Sequence, residues 1–421
     1  MAVRYLPNAQ PQIGIRLDQV TPQRIAWRSR GRVARGKITI LDGDPGLGKA
    51  LALDTVVPTP CGWTTIAEIG VGDEVFDEQG RPCLVIATTD IMADRPCYEL
   101  TFSDGTRVVA DAEHLWWTTD RLARHRQTKR EWKARQNTTD RKNQRPRPDR
   151  IEDNGALRTT NEIATTLTRG DGGANHAIPA TIALALPNRD LPVAPFTLGS
   201  WLGDGDSSAA RITCFDSEII NRIESDGYEV RSNTTPGRYG IAGLAEELRS
   251  IGVIGNKHIP AVYLRASYQQ RLDLMTGLLD TDGYCQPTGT VEFTATNERL
   301  AYGVGELART LGWIPTVREG RAKVNGRDVG PKYRVVFTPD QPVFSVARKV
   351  ARQGQKRRTT HGWRYIVACE PIPSAPVRCI QVGAPSGMFL VSEAMIPTHN
   401  STLLMDWAAR ISRGEALPDG D

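Results

Sequence analysis

The sequence reads Gly43-Asp44-Pro45-Gly46-Leu47-Gly48-Lys49 and then Ala50; much later it reads Thr398-His399-Asn400-Ser401-Thr402-Leu403-Leu404. The first stretch follows Lys37-Ile38-Thr39-Ile40-Leu41, a run that suits a buried parallel strand. A strand running into Gly-x-x-x-x-Gly-Lys opens a loop whose backbone N–H groups cradle phosphate. Such a loop needs Ser or Thr next, as a Mg²⁺ ligand, and then a helix. Ala50 and the breaker-rich Val56-Val57-Pro58-Thr59-Pro60-Cys61-Gly62 supply neither. Ser401-Thr402 supplies the hydroxyls, and Leu403, Leu404, Trp407, Ala408 and Ile411 follow at helical spacing. Joining Lys49 to Ser401 restores strand, phosphate loop and helix in register. Residues 50–400 are therefore expected to be an insertion. It must leave before Gly43, Gly48, Lys49, Ser401 and Thr402 can hold ATP with Mg²⁺.

Composition bounds the rest. The chain has 421 residues, 39% hydrophobic and 24% charged, which suits a globular protein of about three domains and excludes a disordered one. No apolar run reaches the ~20 residues that cross a bilayer, and the start has no basic segment followed by an apolar one, so secretion is not indicated. Seven cysteines without a Cys-x-x-Cys pair argue against a disulfide framework or a zinc site and fit a reducing cytoplasm. The net charge is a modest +5. It is concentrated in residues 119–150, where Trp132 sits among many Lys and Arg; this stretch could track DNA phosphates, or be a solvated loop.

Within the insertion, residues 50–118 carry short alternating runs such as Glu74-Val75-Phe76 and Cys97-Tyr98-Glu99-Leu100-Thr101-Phe102, separated by Glu78-Gln79-Gly80 and Ser103-Asp104-Gly105; this reads as all-β. Residues 190–320 alternate helical and strand patterns, and residues 363–400 return to short strands.

An insertion that ends in Asn, with a hydroxyl nucleophile after it, has what self-excision needs. On these residues, and on motif-like segments over most of 50–400, the sequence resembles an intein. Its flanks resemble the start of a P-loop ATPase of the RecA-like or AAA type. Inteins usually begin with Cys or Ser, and Ala50 departs from that. The sequence is similar instead to a minority class without the first nucleophile, which carries a separated Trp, Cys and Thr. Asp111-Ala112-Glu113-His114-Leu115-Trp116, Val377-Arg378-Cys379-Ile380 and Thr398-His399-Asn400 match all three positions, with Asp111 where the early motif usually has Thr. The resemblance implies that Cys379 attacks the carbonyl of Lys49, with His114 as proton donor and Trp116 and Thr398 in the same machinery. The acyl group then passes to Ser401, and Asn400 cyclises with help from His399. The substrate is an intramolecular peptide bond, and splicing needs no cofactor. An ordinary intein whose first Cys has become Ala is the alternative within this class. An ATPase with a permanent insertion and a DNA-cleaving protein with a decayed splicing half are the alternatives outside it.

Thr197-Leu198-Gly199-Ser200-Trp201-Leu202-Gly203-Asp204-Gly205 and Met275-Thr276-Gly277-Leu278-Leu279-Asp280-Thr281-Asp282-Gly283 are related segments, each an apolar helix with small residues on one face, ending in an acid and a glycine. They resemble the paired motifs of LAGLIDADG homing endonucleases. That resemblance implies two packed helices, Asp204 and Asp282 sharing Mg²⁺, double-stranded DNA as partner, and Lys257 of Asn256-Lys257-His258-Ile259-Pro260 as a catalytic lysine. Lys323 and Lys332 are candidates for a second lysine. Asp206 and Asp280 fall near the site without holding the motif's terminal position.

The expected architecture is an all-β, horseshoe-type (HINT) splicing domain interrupted by an α/β LAGLIDADG domain, acting as a monomer with no membrane association. The divisions are 1–49, N-terminal flank; 50–118, first splicing part; 119–185, basic connection with DNA contacts; 186–355, endonuclease; 356–400, second splicing part; and 401–421, C-terminal flank.

Overall fold

The computed structural model describes residues 27–29, 33–34, 49–126, 155–168, 172–324, 327–353 and 362–399. The strand at 37–41, Gly43, Gly48, the basic stretch from 127 to 150, Asn400, Ser401, Thr402 and the helix expected from 403 lie outside them. The chain divides into two compact units. In the first, Trp27–Ser29 pairs antiparallel with Val33–Ala34. The second takes in residues 46–401 and contains two modules.

The first module is all-β, and both ends of the insertion build it. Its six-stranded sheet runs in the spatial order Ala177–Pro179, Trp363–Ile372, Cys97–Phe102, Arg107–Asp111, Leu51–Ala52, Val377–Arg378. Leu51 thus pairs with Ala110 on one side and Arg378 on the other, so the start of the insertion lies between its early and late strands. A four-stranded sheet places Leu115–Thr118 between Ala156–Thr159 and Ile396–His399, with Met388–Val391 beyond. The alternating patterns of Cys97–Phe102 and Arg107–Asp111 turn Leu100, Phe102, Val108 and Ala110 into a core shared with Leu51, Val57, Ile366, Ile380 and Ile396.

Ile163 and Ile178 also belong to that core. The boundary expected at residue 118 is thereby corrected: Ala156–Thr159, the capped helix Thr160–Thr165 and Ala177–Pro179 complete the β module instead of forming a connection. A polar, basic approach hid these short elements from composition.

The second module holds two helix–sheet repeats. The helix Pro195–Asp204 precedes a three-stranded sheet ordered Arg211–Thr213, Arg238–Ile241, Val230–Ser232. The helix Tyr268–Asp282 precedes a four-stranded sheet ordered Gly283–Cys285, Val291–Ala295, Arg327–Phe337, Thr316–Val324. The two helices pack face to face through glycine. A Cβ at Gly199 would run into the backbone of Leu274, and one at Gly277 into the backbone of Phe196. Small residues allow this approach, and Leu198, Trp201, Leu274 and Leu278 close a core around it.

Residues 181–185 tie the modules together. Ala185 N–H donates to Gly80 O at 2.8 Å, Leu184 N–H to Thr310 O at 2.9 Å, and Thr181 Oγ1 to Met395 O at 2.5 Å. Arg265 adds a second tie, donating to the carbonyls of Thr59 and Gly62, both at 3.0 Å, and pairing with Glu306.

Candidate functional site

The first site surrounds the Lys49–Ala50 bond. Ala50 is fully buried in a small cluster with Cys97, Val377 and Cys379. Its carbonyl accepts the Asp111 N–H at 3.0 Å. Cys379 lies between the short strands Val377–Arg378 and Ile380–Val382. Its N–H donates to Thr89 Oγ1 at 3.1 Å, and its carbonyl accepts the Thr89 N–H at 3.0 Å. Arg378 fastens the same strand by donating to the carbonyls of Thr89 and Ile69, each at 3.0 Å. The Lys49 side chain is drawn into this region: burial pushes its pKa down, and attraction to Cys379 pulls it back up.

His114 comes from the turn between Arg107–Asp111 and Leu115–Thr118 and is fully buried. Its Nε2 hydrogen-bonds Thr398 Oγ1. Among the described residues Nδ1 has no hydrogen-bond partner, though the Lys49 backbone is near enough to act on the ring. Burial pushes the imidazole pKa down to about 3, outweighing the opposing pulls of the Lys49 backbone and Asp111. Trp116 packs edge-on against the His114 ring at 4.9 Å between centroids and donates its indole N–H to Thr160 Oγ1 at 3.0 Å. Trp116 and Thr398 therefore fix His114, while Cys379 approaches through the Ala50 cluster. His399 ends the strand Ile396–His399, and its register places it opposite both Leu115 and Met388. The chain thus brings the two ends of the insertion onto strands flanking His114.

The second site lies where the two glycine helices end. Asp204 and Asp282 are their last residues, each followed by a glycine. Burial raises the Asp204 pKa. Burial, and then the Asp204 charge, push Asp282 up to about 6. Two partly buried, converging carboxylates form a donor set of hard oxygens that suits a divalent cation such as Mg²⁺. Lys257 donates to the carbonyls of Leu202, Gly203 and Gly205 at 3.0, 3.1 and 2.7 Å, and burial lowers its pKa to about 8 against the pull of Asp282 and Asp204.

For a second lysine the sequence offered only candidates. Lys323 and Lys332 lie on the long hairpin of Thr316–Val324 and Arg327–Phe337. Lys349 occupies the matching place instead. It donates to the carbonyls of Leu279, Asp280, Thr281 and Gly283 at 2.8, 2.7, 3.0 and 2.9 Å. Its four-residue helix, Ala347–Val350, carries no motif that spacing could reveal. Asp280 turns away from the site: its carboxylate accepts the Ser345 N–H at 3.0 Å and the Val346 N–H at 3.3 Å. Asp206 accepts from Ser208 Oγ at 2.8 Å.

A LAGLIDADG-like domain family matches residues 269–341. A replicative DNA helicase DnaB of Mycobacterium intracellulare is 43% identical over 373 residues, covering 87% of this chain and 61% of that protein, so this chain spans under two thirds of its relative. The alignment is far longer than the two flanks together, so the insertion itself is shared. The crystal structure of the MchDnaB-1 intein is similar at 18% identity, covering 83% of this chain and 100% of that chain with a TM-score of 0.28. The crystal structure of I-DmoI in complex with DNA and Mn is similar at 12% identity, covering 35% of this chain and 89% of that chain with a TM-score of 0.25. The chain, a β module split by a glycine-helix module, is thus similar over most of its length to a replicative DNA helicase DnaB, and its second glycine helix and the sheet after it match a LAGLIDADG-like domain family.

Proposed function

We propose that residues 50–400 excise themselves, with Cys379 as first nucleophile. The observation that carries this reading is the shared buried cluster of Ala50 and Cys379, beside a Lys49 backbone that faces His114. Cys379 Sγ attacks the Lys49 carbonyl carbon as a thiolate, which the Lys49 ammonium favours. The Lys49–Ala50 bond breaks, residues 1–49 become a thioester on Cys379, and the Ala50 nitrogen gains the proton that the thiol lost. His114, neutral at pH 7, polarises the Lys49 carbonyl and relays that proton; such assistance is typically worth ~10²–10⁴-fold. The Ser401 hydroxyl takes the acyl group and frees Cys379. The Asn400 side-chain nitrogen attacks its own carbonyl, giving a succinimide and breaking Asn400–Ser401, with His399 handling the proton. An ester-to-amide shift leaves Lys49 joined to Ser401 and the phosphate loop of Gly43, Gly48, Lys49, Ser401 and Thr402 restored.

Intact masses of the chain and of a Cys379→Ala variant test this. Excised 50–400 and ligated 1–49/401–421 are expected from the first and not from the second. If Ala50→Cys alone switches splicing on in an otherwise inert chain, direct attack by Cys379 is refuted and the ordinary intein with a lost first Cys takes its place. ATP binding by the unspliced chain would instead favour a permanent insertion.

The second module is proposed to cleave double-stranded DNA. Asp204 and Asp282 would hold Mg²⁺, which when bound supplies charge stabilisation and an activated water for phosphodiester hydrolysis. Lys257 and Lys349 hold the helix ends that carry the two carboxylates and place a cation beside each. DNA encoding the uninterrupted 1–49/401–421 junction, incubated with Mg²⁺, is the probe. Cleavage abolished by Asp204→Asn and by Asp282→Asn supports the reading, and cleavage indifferent to both refutes it.

A further inference from the structure

The place where the sequence departs from its early motif, Asp111, holds a second ion-pair machine beside the N-terminal junction. The Asp111 side chain is fully buried, and Arg95 reaches it with Nε and with Nη2, the latter at 3.2 Å. Oδ1 also accepts the Glu113 N–H at 2.8 Å. The Asp111 backbone works in two directions. Its N–H holds the carbonyl of Ala50, one bond beyond the scissile amide, and its carbonyl accepts the His114 N–H at 3.0 Å. The turn is pinned from outside as well: Ala112 N–H donates to Pro96 O at 2.8 Å, and Thr160 N–H donates to His114 O at 2.9 Å. One residue therefore grips both the junction and the turn that aims the histidine, and a buried carboxylate of this kind is tolerated only with a cation on it.

We infer that Asp111, neutralised by Arg95, is a positioning residue for the first step of splicing, fixing Ala50 and His114 relative to each other while Cys379 attacks. The inference rests on the splicing reading above and deepens it. A Thr at this position would contribute a short hydroxyl. Asp111 instead contributes a charge that, among the described residues, Arg95 alone pairs, and Cys97 of the junction cluster donates its thiol to the Arg95 carbonyl at 3.4 Å. Neither side chain touches the reacting bond; both act through the backbone of 111–114.

The test uses the full chain with Asn400→Ala and Ser401→Ala, which block cyclisation and acyl transfer and isolate the first step. Dithiothreitol releases residues 1–49 from the thioester, and the mass of that peptide is followed over time. Asp111→Asn keeps the shape and the Oδ1 acceptor but loses the charge; Arg95→Met loses the partner. Each is expected to slow release about 10- to 100-fold, the scale of an ångström-sized misplacement of reacting groups. Arg95→Lys is expected to restore release to within a few-fold, and Asp111→Asn and Arg95→Lys should keep their unfolding midpoints within a few degrees, whereas Arg95→Met, which leaves the buried carboxylate unpaired, should lower its own. If the parent releases no peptide, the splicing reading falls and this inference with it. If the parent releases peptide and both variants match its rate, only the inference falls. A slowing that Arg95→Lys leaves uncorrected, or one in Asp111→Asn accompanied by a collapsed unfolding midpoint, overturns it too, because the pair is then an element of the fold alone.

Discussion

Lys349 does for the second glycine helix what Lys257 does for the first. Each ammonium sits at a helix C-terminus and donates to its last carbonyls, three for Lys257 and four for Lys349. Each also lies over an aromatic ring, Trp201 for Lys257 at 5.0 Å and Phe344 for Lys349 at 5.8 Å. A cation at the negative end of a helix is favourable, and here it also faces the carboxylate that ends the helix.

On this geometric equivalence the two lysines are expected to contribute alike. Lys349→Met and Lys257→Met are each expected to reduce DNA cleavage by about 10²-fold or more, the scale seen when one preorganised charge-stabilising donor is removed. Lys323→Met and Lys332→Met should leave the rate within a few-fold. Initial rates of plasmid linearisation under excess enzyme separate the two pairs, and equal losses across all four would remove the special status of Lys349.

Asp282 gives the second module a pH dependence of definite sign. Its folded pKa of about 6 lies above the ordinary carboxylate value of 3.8, because of burial and then Asp204. The folded chain therefore binds this proton more tightly than the unfolded chain. The contribution favours folding below about pH 4 and is lost as pH rises through about 6. Metal-free protein at pH 7 is thus strained, and Asp282→Asn should stabilise it by roughly 1–3 kcal/mol, with the gain vanishing near pH 4. Denaturant melts at pH 4 and pH 7 read this directly. Metal-dependent cleavage should show the opposite trend and fade as pH falls below about 6.

The glycine contact between the helices leaves no room for a methyl group. Gly199→Ala and Gly277→Ala push a Cβ into opposing backbone, which cannot move aside as a side chain tip can. Each is expected to destabilise the second module by roughly 1–3 kcal/mol, the usual size of overpacking. Gly303→Ala, whose Cβ would meet Ile259 side-chain carbons at 3.5 Å, should be close to neutral. Calorimetric unfolding of the three variants would expose the idea as wrong if their order were reversed.

Thr398 is expected to matter through His114. Thr398→Val removes the hydroxyl on Nε2 and leaves a fully buried ring nitrogen without its partner, at a cost of about 1–3 kcal/mol. The N-terminal step should slow about 10-fold or more, since the histidine loses the contact that fixes its tautomer. Thr398→Ser keeps the hydroxyl and should remain within a few-fold of the parent. The comparison is made on dithiothreitol-released peptide in the Asn400→Ala, Ser401→Ala background.

Much of the architecture was legible along the chain. The strand at Cys97–Phe102 announces itself by alternation bounded by Ser103-Asp104-Gly105, and the glycine helices by small residues at helical spacing before an acid. Local pattern suffices there because each element carries its own turn signals. Three features were not legible. Ala156–Pro179 reads as a polar connection because its core contribution, Ile163 and Ile178, is too sparse to make a period. Lys349 has no motif because its role comes from the repeat symmetry of two helix ends. The Arg95–Asp111 pair spans sixteen residues with no spacing rule to link them.

By itself the sequence showed a Gly-x-x-x-x-Gly-Lys pattern ending at Lys49 with Ser401-Thr402 far downstream, an Ala50 that offers no nucleophile, and two acid-ended glycine segments between. These are covalent facts and short-range patterns, which need no partner to be read. Only the tertiary structure decided that Ala50 meets Cys379, that His114 is locked neutral between Thr398 and Trp116, and that Asp204 raises Asp282. Those properties depend on burial and on groups brought together from distant parts of the chain. Strand pairing between the two ends of the insertion is what brings the junction groups together, and glycine packing is what brings the two aspartates together.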